Sequence, residues 1–457
     1  MFIIDAITAF ADWSWGIPMI IWLVGGGIVL TIAIGGMQFT KLGYVLKNTV
    51  IKSIKEKQSG ESISGFQAVL SAMGGTIGSG NIVGVGAAIA LGGPGAVLWM
   101  WVIGLVAMAV KYSEALCAVK FRKPASGEHG YLWDAGPAFY LKMGVPFKKV
   151  GMVLGTIIGF TIIANLSVSA CEHTSAIADT VTSAFGINRV LIVAICVAIV
   201  AGVMLGGMKR FVHFSELVVP IMSIVYILFG ILIILKNITE IPHVFAMIFS
   251  GAFGGTAAVG GFAGAGISQA IRWGTARGMY SNDAGTGLQA IMHGQADVEH
   301  PVQQGMFGIF EVFFDTIVIC SFTAIIILST GVWETGAEGS ALTLMAFTQE
   351  FGVIGTVVEV ACLCMFAITT AIGMAMFQER HMSAFFGKTA AKVFDVLYLI
   401  LMVIGGLVGF DAILPFTDSI AAINIFINMT GLLLMAKIIR ATTKDYFENF
   451  IKKDSKA

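Results

Sequence analysis

Runs of about twenty residues with few or no charges recur along the chain, and about 20 apolar residues are what an α-helix needs to cross a hydrocarbon core of about 30 Å. The bilayer therefore governs the fold, because backbone polar groups inside it must be satisfied within helices or closed barrels. Of the 457 residues, 57% are hydrophobic and 12% charged, against roughly 25% charged in a soluble domain. A soluble globular protein is excluded. Lys plus Arg and Asp plus Glu both number 27, so there is no net basic charge to hold nucleic acid.

Charged punctuation divides the apolar sequence into eleven spans, beginning near residues 17, 66, 94, 150, 189, 212, 242, 305, 351, 391 and 416. They are expected to form one all-α polytopic membrane domain over 1–457: an extra N-terminal helix at 17–40, a five-helix unit at 66–236, a second at 242–438, and a tail at 439–457. An odd count puts the termini on opposite sides. With the Lys41–Lys57 loop inside, 24 of the 27 Lys and Arg fall inside, among them Lys209, Arg272, Arg277, Arg380, Lys388 and Lys392. That is the bias of the positive-inside rule. The N-terminus is therefore expected outside the cell membrane and the C-terminus in the cytoplasm, with Lys444–Lys456 an amphipathic tail at the lipid surface. Met1–Trp15 contains Asp5 and Asp12 and no basic residue, unlike a cleaved signal peptide, so the first helix is expected to be retained. The six cysteines lie in apolar runs without a CxxC and read as helix-packing thiols.

Two spans have glycine-rich middles: Ser71-Ala-Met-Gly-Gly-Thr-Ile-Gly-Ser-Gly-Asn81 and the run Gly251–Gly266. Glycine costs ~1 kcal/mol relative to alanine inside a helix. Such clusters mark either close helix contacts, as the Gly74/Gly78 and Gly80/Gly84 spacings allow, or unwound segments. One cluster opens each five-helix unit, and an odd number of spans per unit inverts the second relative to the first. That is the inverted-repeat pattern of secondary transporters with broken helices. A break leaves N–H groups at the start of one half-helix and carbonyls at the end of the other. Near Ser79 and Gly80 the N–H groups suit a carboxylate; the carbonyls near Gly74 and Ile77 suit a sodium ion. Gly260, Gly261 and Gly264 are expected to supply the complementary ends, with carbonyls for an ammonium group.

These residues resemble the alanine or glycine:cation symporter family, also called the sodium:alanine symporter family. The likeness is carried by Thr76-Ile-Gly-Ser-Gly-Asn-Ile-Val-Gly84, Leu91-Gly-Gly-Pro-Gly-Ala96, Trp99-Met-Trp101 and Lys111-Tyr-Ser-Glu-Ala115. It continues in the same order through Gly260-Gly-Phe-Ala-Gly264, Ala276–Gly285, His300-Pro-Val-Gln-Gln-Gly305 and Asp315-Thr316. The resemblance implies a leucine-transporter-type fold of five plus five inverted helices with one added N-terminal helix, carrying a small amino acid inward with Na+. It implies substrate contacts at Thr76, Gly78, Ser79, Gly80, Asn81, Gly260, Gly261, Phe262, Gly264 and Thr370. It also implies a sodium site formed by Gly74, Ile77, Thr369 and Thr370. Intramembrane threonines also bond back to carbonyls one turn earlier. Met374 stands where the family typically places Trp, and Cys171-Glu-His-Thr-Ser175 where it tends to place Gln and Asn. Both changes reshape the pocket and leave alanine, glycine, glutamine and other polar or basic amino acids open.

Ionisable residues inside spans are functional candidates because inserting them costs a few kcal/mol. Glu172 or His173 can read a substrate side chain or relay a proton; the rival reading pairs Glu172 with another helix. Lys111 and Glu114 are spaced for an i, i+3 pair. Glu311 and Asp315, at i+4, need a proton, a cation or a basic partner, for which Arg272 and Arg277 are candidates. Ser281–Gly287 lacks the order of a phosphate loop. His293, Asp297, Glu299 and His300 read as a solvated face or short helix rather than a metal site. No HExxH or GxSxG signature of an enzyme is present. A Na+-coupled amino-acid symporter and a proton-coupled carrier using Glu172 or His173 remain, with lipid and substrate as the partners and no sign of an obligate protein partner.

Overall fold

A computed structural model describes residues 2–55, 62–125, 133–254, 266–337 and 339–454. The described chain is almost wholly helical, its one sheet a two-residue pairing of β1 (Lys123–Pro124) with β2 (Trp133–Asp134). Seven helices are long and apolar enough to cross a membrane, or up to nine if each bent pair is one span.

The chain begins with α1 (Phe2–Ser14), bent by 41° into α2 (Ile17–Ala33), followed by α3 (37–55). Next come α4 (Gly65–Gly74) and α5 (Val83–Gly92), separated by a non-helical stretch and a short 3-10 turn at Ser79–Asn81 and bent by 69°. A capping box at Ser64 and Gln67 starts α4. After them run α6 (Ala96–Lys120), α7 (Pro137–Gly144), α8 (Lys148–Phe185), α9 (Arg189–Met204) and α10 (Gly207–Lys236). The rest of the chain gives α11 (Ile241–Phe253), α12 (Ile267–Asn282), α13 (Ala290–His293), α14 (Pro301–Ser329) and α15 (Ser340–Phe351). It ends with α16 (Val353–Phe386), α17 (Lys388–Val408), α18 (Phe410–Leu434) and α19 (436–454).

Close approach sets the packing. A Cβ on Gly308 of α14 would stand 2.8 Å from the Lys111 carbonyl of α6, and one on Gly373 of α16 would stand 2.8 Å from the Gly75 Cα. Only glycine admits backbones this near. Both α6 and the inner part of α16 are buried along most of their length, while α9, α10 and α17 present rows of exposed Val, Ile and Leu suited to lipid.

Most of the glycine run 251–266, with Gly260, Gly261, Phe262 and Gly264, lies outside the described residues. Phe253 at the end of α11 and Gly274 of α12 both meet Trp99. Among the described residues a helical break follows α12. Asp283 ends α12 in the left-handed region (φ +54), Gly285 and Gly287 follow at φ +91 and +81, and helix resumes at Ala290.

Arg272 Nη2 lies 2.6 Å from Asp12 Oδ1, so a residue that its charge assigned to a cytoplasmic loop pairs with the N-terminal helix expected on the opposite side. Arg277, Ser281 and Asn282 of α12 are buried against neighbouring helices, so hydropathy underrates this helix.

Candidate substrate and cation site

The two interruptions meet around a narrow cavity of about 40 Å³, lined by Thr76, Gly78 and Gly80 from the first, Asp283 and Thr286 from the second, and Glu172, His173, Thr370 and Met374 from α8 and α16. A buried water needs roughly 10–15 Å³ by the same measure, so the cavity suits only a small solute. Trp15, Asn165, Ser169, Tyr280 and Thr417 complete the wall.

Of the residues expected to contact substrate, Thr76, Gly78, Gly80, His173, Thr370 and Met374 line this cavity. Ser79 reaches it through its hydroxyl, 3.2 Å from His173 Nδ1. Asn81 is engaged elsewhere: its Oδ1 accepts from the Gly78 N–H at 2.9 Å, and its Nδ2 donates to Asp315 Oδ1 at 2.6 Å and Ser281 Oγ at 2.9 Å. Asp315 also accepts from Ser281 Oγ at 2.8 Å and Thr316 Oγ1 at 2.9 Å. One carboxylate thus ties both interruptions to α14.

At the proposed cation site, Thr370 Oγ1 lies 3.3 Å from the Ile77 carbonyl and 3.0 Å from that of Phe366. The Thr369 hydroxyl turns to its own helix, 2.9 Å from Met365 O and 2.8 Å from Phe366 O, and toward Met222 Sδ at 3.6 Å. The structure brings Ile77 and Thr370 together and leaves Thr369 facing α10. Gly74 packs against Ser215, whose buried hydroxyl, like that of Ser71, has no hydrogen-bond partner among the described residues.

A second buried network supports the interruptions. Lys111 Nζ lies 3.6 Å from Glu311 Oε1 and donates to Gln289 Oε1 at 3.0 Å. Glu311 also accepts from Thr76 Oγ1 at 3.0 Å and pairs with His293 Nε2 at 2.7 Å. Glu114 accepts from the Gly285 N–H at 3.0 Å and Asn428 Nδ2 at 2.6 Å. Lys111 and Glu114 are therefore not each other's partners, and His293 is buried, not solvated. His300 caps α14, its Nδ1 accepting from Val302 N at 3.2 Å. Among the described residues no group of three His, Cys, Asp or Glu is placed to hold a metal.

One end of the cavity is closed by the N-terminal helix pair. Trp15 Nε1 donates to the Asp418 carbonyl at 2.9 Å, and the Asp418 carboxylate holds Arg277 Nη2 at 3.2 Å. Neither Arg272 nor Arg277 meets Glu311 or Asp315; their partners are Asp12 and Asp418.

Sequence reasoning missed Asp283, Thr286 and Trp15. The Asn282-Asp283-Ala-Gly285-Thr-Gly287 string carried the helix-ending signal, and the Gly274/Gly278 spacing showed that the residues before it pack tightly on a helix.

An interrupted-helix bundle around a small central cavity is the architecture of a membrane transporter, not an enzyme. The fold is similar to that of MhsT in complex with L-phenylalanine, at TM-score 0.59 and 14% identity over 85% of this chain and 99% of that one. The chain belongs to the sodium:alanine symporter family, whose profile matches residues 1–457. It is 38% identical to the uncharacterized transporter YflA of Bacillus subtilis (97% of this chain, 94% of the relative) and 32% identical to the sodium/alanine symporter AgcS of Methanococcus maripaludis (97% of each).

Proposed function

We propose that this chain imports a small amino acid together with Na+ by alternating access, as a multi-pass protein of the cell membrane with its N-terminus outside. The observation that carries the ion assignment is the Thr370 hydroxyl 3.3 Å from the Ile77 carbonyl at the helix break: two neutral oxygens of the hard type an alkali cation prefers. Gly74 supplies a further carbonyl to the proposed shell, and Thr369 joins it by turning its hydroxyl away from α10. The Ser79 and Gly80 N–H groups take the substrate carboxylate. Glu172 and Asp283, the two cavity carboxylates, favour a positive group between them, and the substrate ammonium supplies it. In the expected scheme this role fell to Gly260, Gly261 and Gly264. The units 66–236 and 242–438 are the two inverted repeats, each with an interrupted helix near its start, and 17–40 is the added helix of an eleven-span protein.

Proton coupling is the second reading, favoured by Glu172 in the cavity wall and by His173 bonded to Ser79. Proteoliposomes carrying an inward sodium gradient at equal pH separate the two. Accumulation of alanine, glycine or glutamine there supports sodium symport. Accumulation that needs a pH gradient and ignores sodium removes it.

A further inference from the structure

The geometry points to a binding site for an anionic phospholipid with a hydroxyl-bearing headgroup, in a groove between the α9–α10 turn, the end of α16 and the start of α17. This inference is independent of which ion or amino acid is carried. The groove has a volume of about 480 Å³ and is lined by Lys209, Glu379, Arg380, Ser383, Lys388 and Lys392. Arg380 is already paired, its Nη2 2.9 Å from Asp134 Oδ1. The three lysines face the groove against Glu379, with Asp395 near Lys392. Among the described residues Lys388 has no ion pair within 4 Å, and a Cβ on Gly207 would meet nothing within 4 Å.

What distinguishes the groove from ordinary basic residues at a membrane edge is its continuity with an acyl-chain surface. Lys388, Lys392, Val396 and Ile400 fall on one i+4 row of α17, the first two at its foot and the next two 58% and 50% exposed along the span. Leu205, 89% exposed, and Phe386, 49% exposed, flank the groove on either side. A phosphodiester held by the three lysines therefore has its acyl chains directed along an uninterrupted apolar row. Basic pockets between transmembrane helices hold anionic headgroups in this way. The Ser383 hydroxyl adds a donor for phosphate oxygen, and Glu379 an acceptor for a headgroup hydroxyl. Phosphatidylglycerol meets each requirement, whereas phosphatidylcholine offers neither net charge nor hydroxyl.

The test uses full-length protein, delipidated in detergent, with lipid binding followed by native mass spectrometry and by thermal shift. Saturable binding of phosphatidylglycerol, with no comparable binding of phosphatidylcholine, is expected. Each lysine near an anionic headgroup contributes roughly five-fold in affinity, so Lys209→Gln/Lys388→Gln/Lys392→Gln is expected to weaken binding on the order of a hundred-fold. The control Lys123→Gln/Lys148→Gln/Lys149→Gln, at the same end of the bundle, is expected to bind as the unmodified protein does. Circular dichroism and a single symmetric size-exclusion peak report that each variant is folded. Unchanged binding in the groove variant overturns the proposal, as does equal loss in the control. Stabilisation by inorganic phosphate or glycerol phosphate equal to that by phosphatidylglycerol overturns the lipid assignment in favour of a soluble anion.

Discussion

The indole of Trp15 and the backbone of Asp418 share one hydrogen bond, 2.9 Å from Nε1 to the carbonyl oxygen, while the same Asp418 holds Arg277 through its carboxylate. Trp15 of the cavity wall and the Arg277 ion pair behind it are thus joined in a single residue of α18.

Removing one member of that pair leaves its partner's charge largely buried. Arg277→Ala is expected to cost about 3 kcal/mol, the low end of values for broken buried pairs, since Asp418 keeps some exposure. Arg277→Met with Asp418→Asn is expected to recover part of it. Thermal unfolding gives the stability, and thiol labelling of Ala421→Cys in the cavity wall gives access. Labelling as slow in Arg277→Ala as in the intact pair would show that Trp15 closes this end alone.

At the proposed cation site, Thr370→Ala is expected to raise the sodium concentration for half-maximal uptake by roughly five- to ten-fold, the worth of about 1 to 1.5 kcal/mol for one buried oxygen contact. Thr370→Ser is expected to restore it. Because its hydroxyl already bonds within α16 and faces Met222, Thr369→Ala is expected to shift sodium dependence less. A larger effect at Thr369 than at Thr370 would reverse the geometry assigned to this site.

Glu311 depends on Lys111. Lys111→Met deprives a fully buried carboxylate of its lysine and is expected to destabilise by about 3 to 5 kcal/mol, lowering both folded yield and unfolding temperature. Lys111→Met with Glu311→Gln is expected to be more stable than the single variant. Equal unfolding temperatures for single and double variants would mean that His293 and Thr76 alone satisfy Glu311.

Gly308→Ala places a methyl group 2.8 Å from the Lys111 carbonyl oxygen. Overpacking of this kind costs about 1 to 3 kcal/mol. Because the clash is with backbone, α14 and α6 have to move apart, so the unfolding temperature is expected to drop without any change in sodium selectivity. An unchanged unfolding temperature would show that the two helices are not held this closely.

Proton coupling is tested at Glu172 and His173. If sodium alone drives uptake, Glu172→Gln is expected to raise the amino-acid concentration for half-maximal uptake while accumulation at constant pH stays dependent on sodium. A folded Glu172→Gln protein that loses a pH-gradient-driven component of uptake would favour a titrating role for this group.

The first interruption was legible because its glycines sit where helix must break, and Ile77 came from it, while Thr370 came from the family resemblance. The second was obscured by hydropathy, which measures the preference of a residue for lipid. Arg277, Ser281 and Asn282 of α12 are buried and Arg272 is half-buried; their partners are Asp418, Asp315, Thr316 and Asp12. Such pairings are set by distant helices, and no local pattern reveals them. The same holds for Asn81, whose side chain joins a knot around Asp315 and does not line the cavity, and for Lys111, whose spacing pointed to Glu114 while its ammonium found Glu311. Trp15 was hidden because an aromatic residue near a helix bend reads as an interfacial anchor.

The bond between Trp15 and Asp418 spans 403 residues of sequence. A ribosome adds about 5 to 20 residues each second, so roughly 20 to 80 s of synthesis separate the two partners. The helix that enters the bilayer first is among the last to be docked. Throughout that interval the nascent protein has a cavity without one of its walls, and the amino end waits in lipid until α18 arrives.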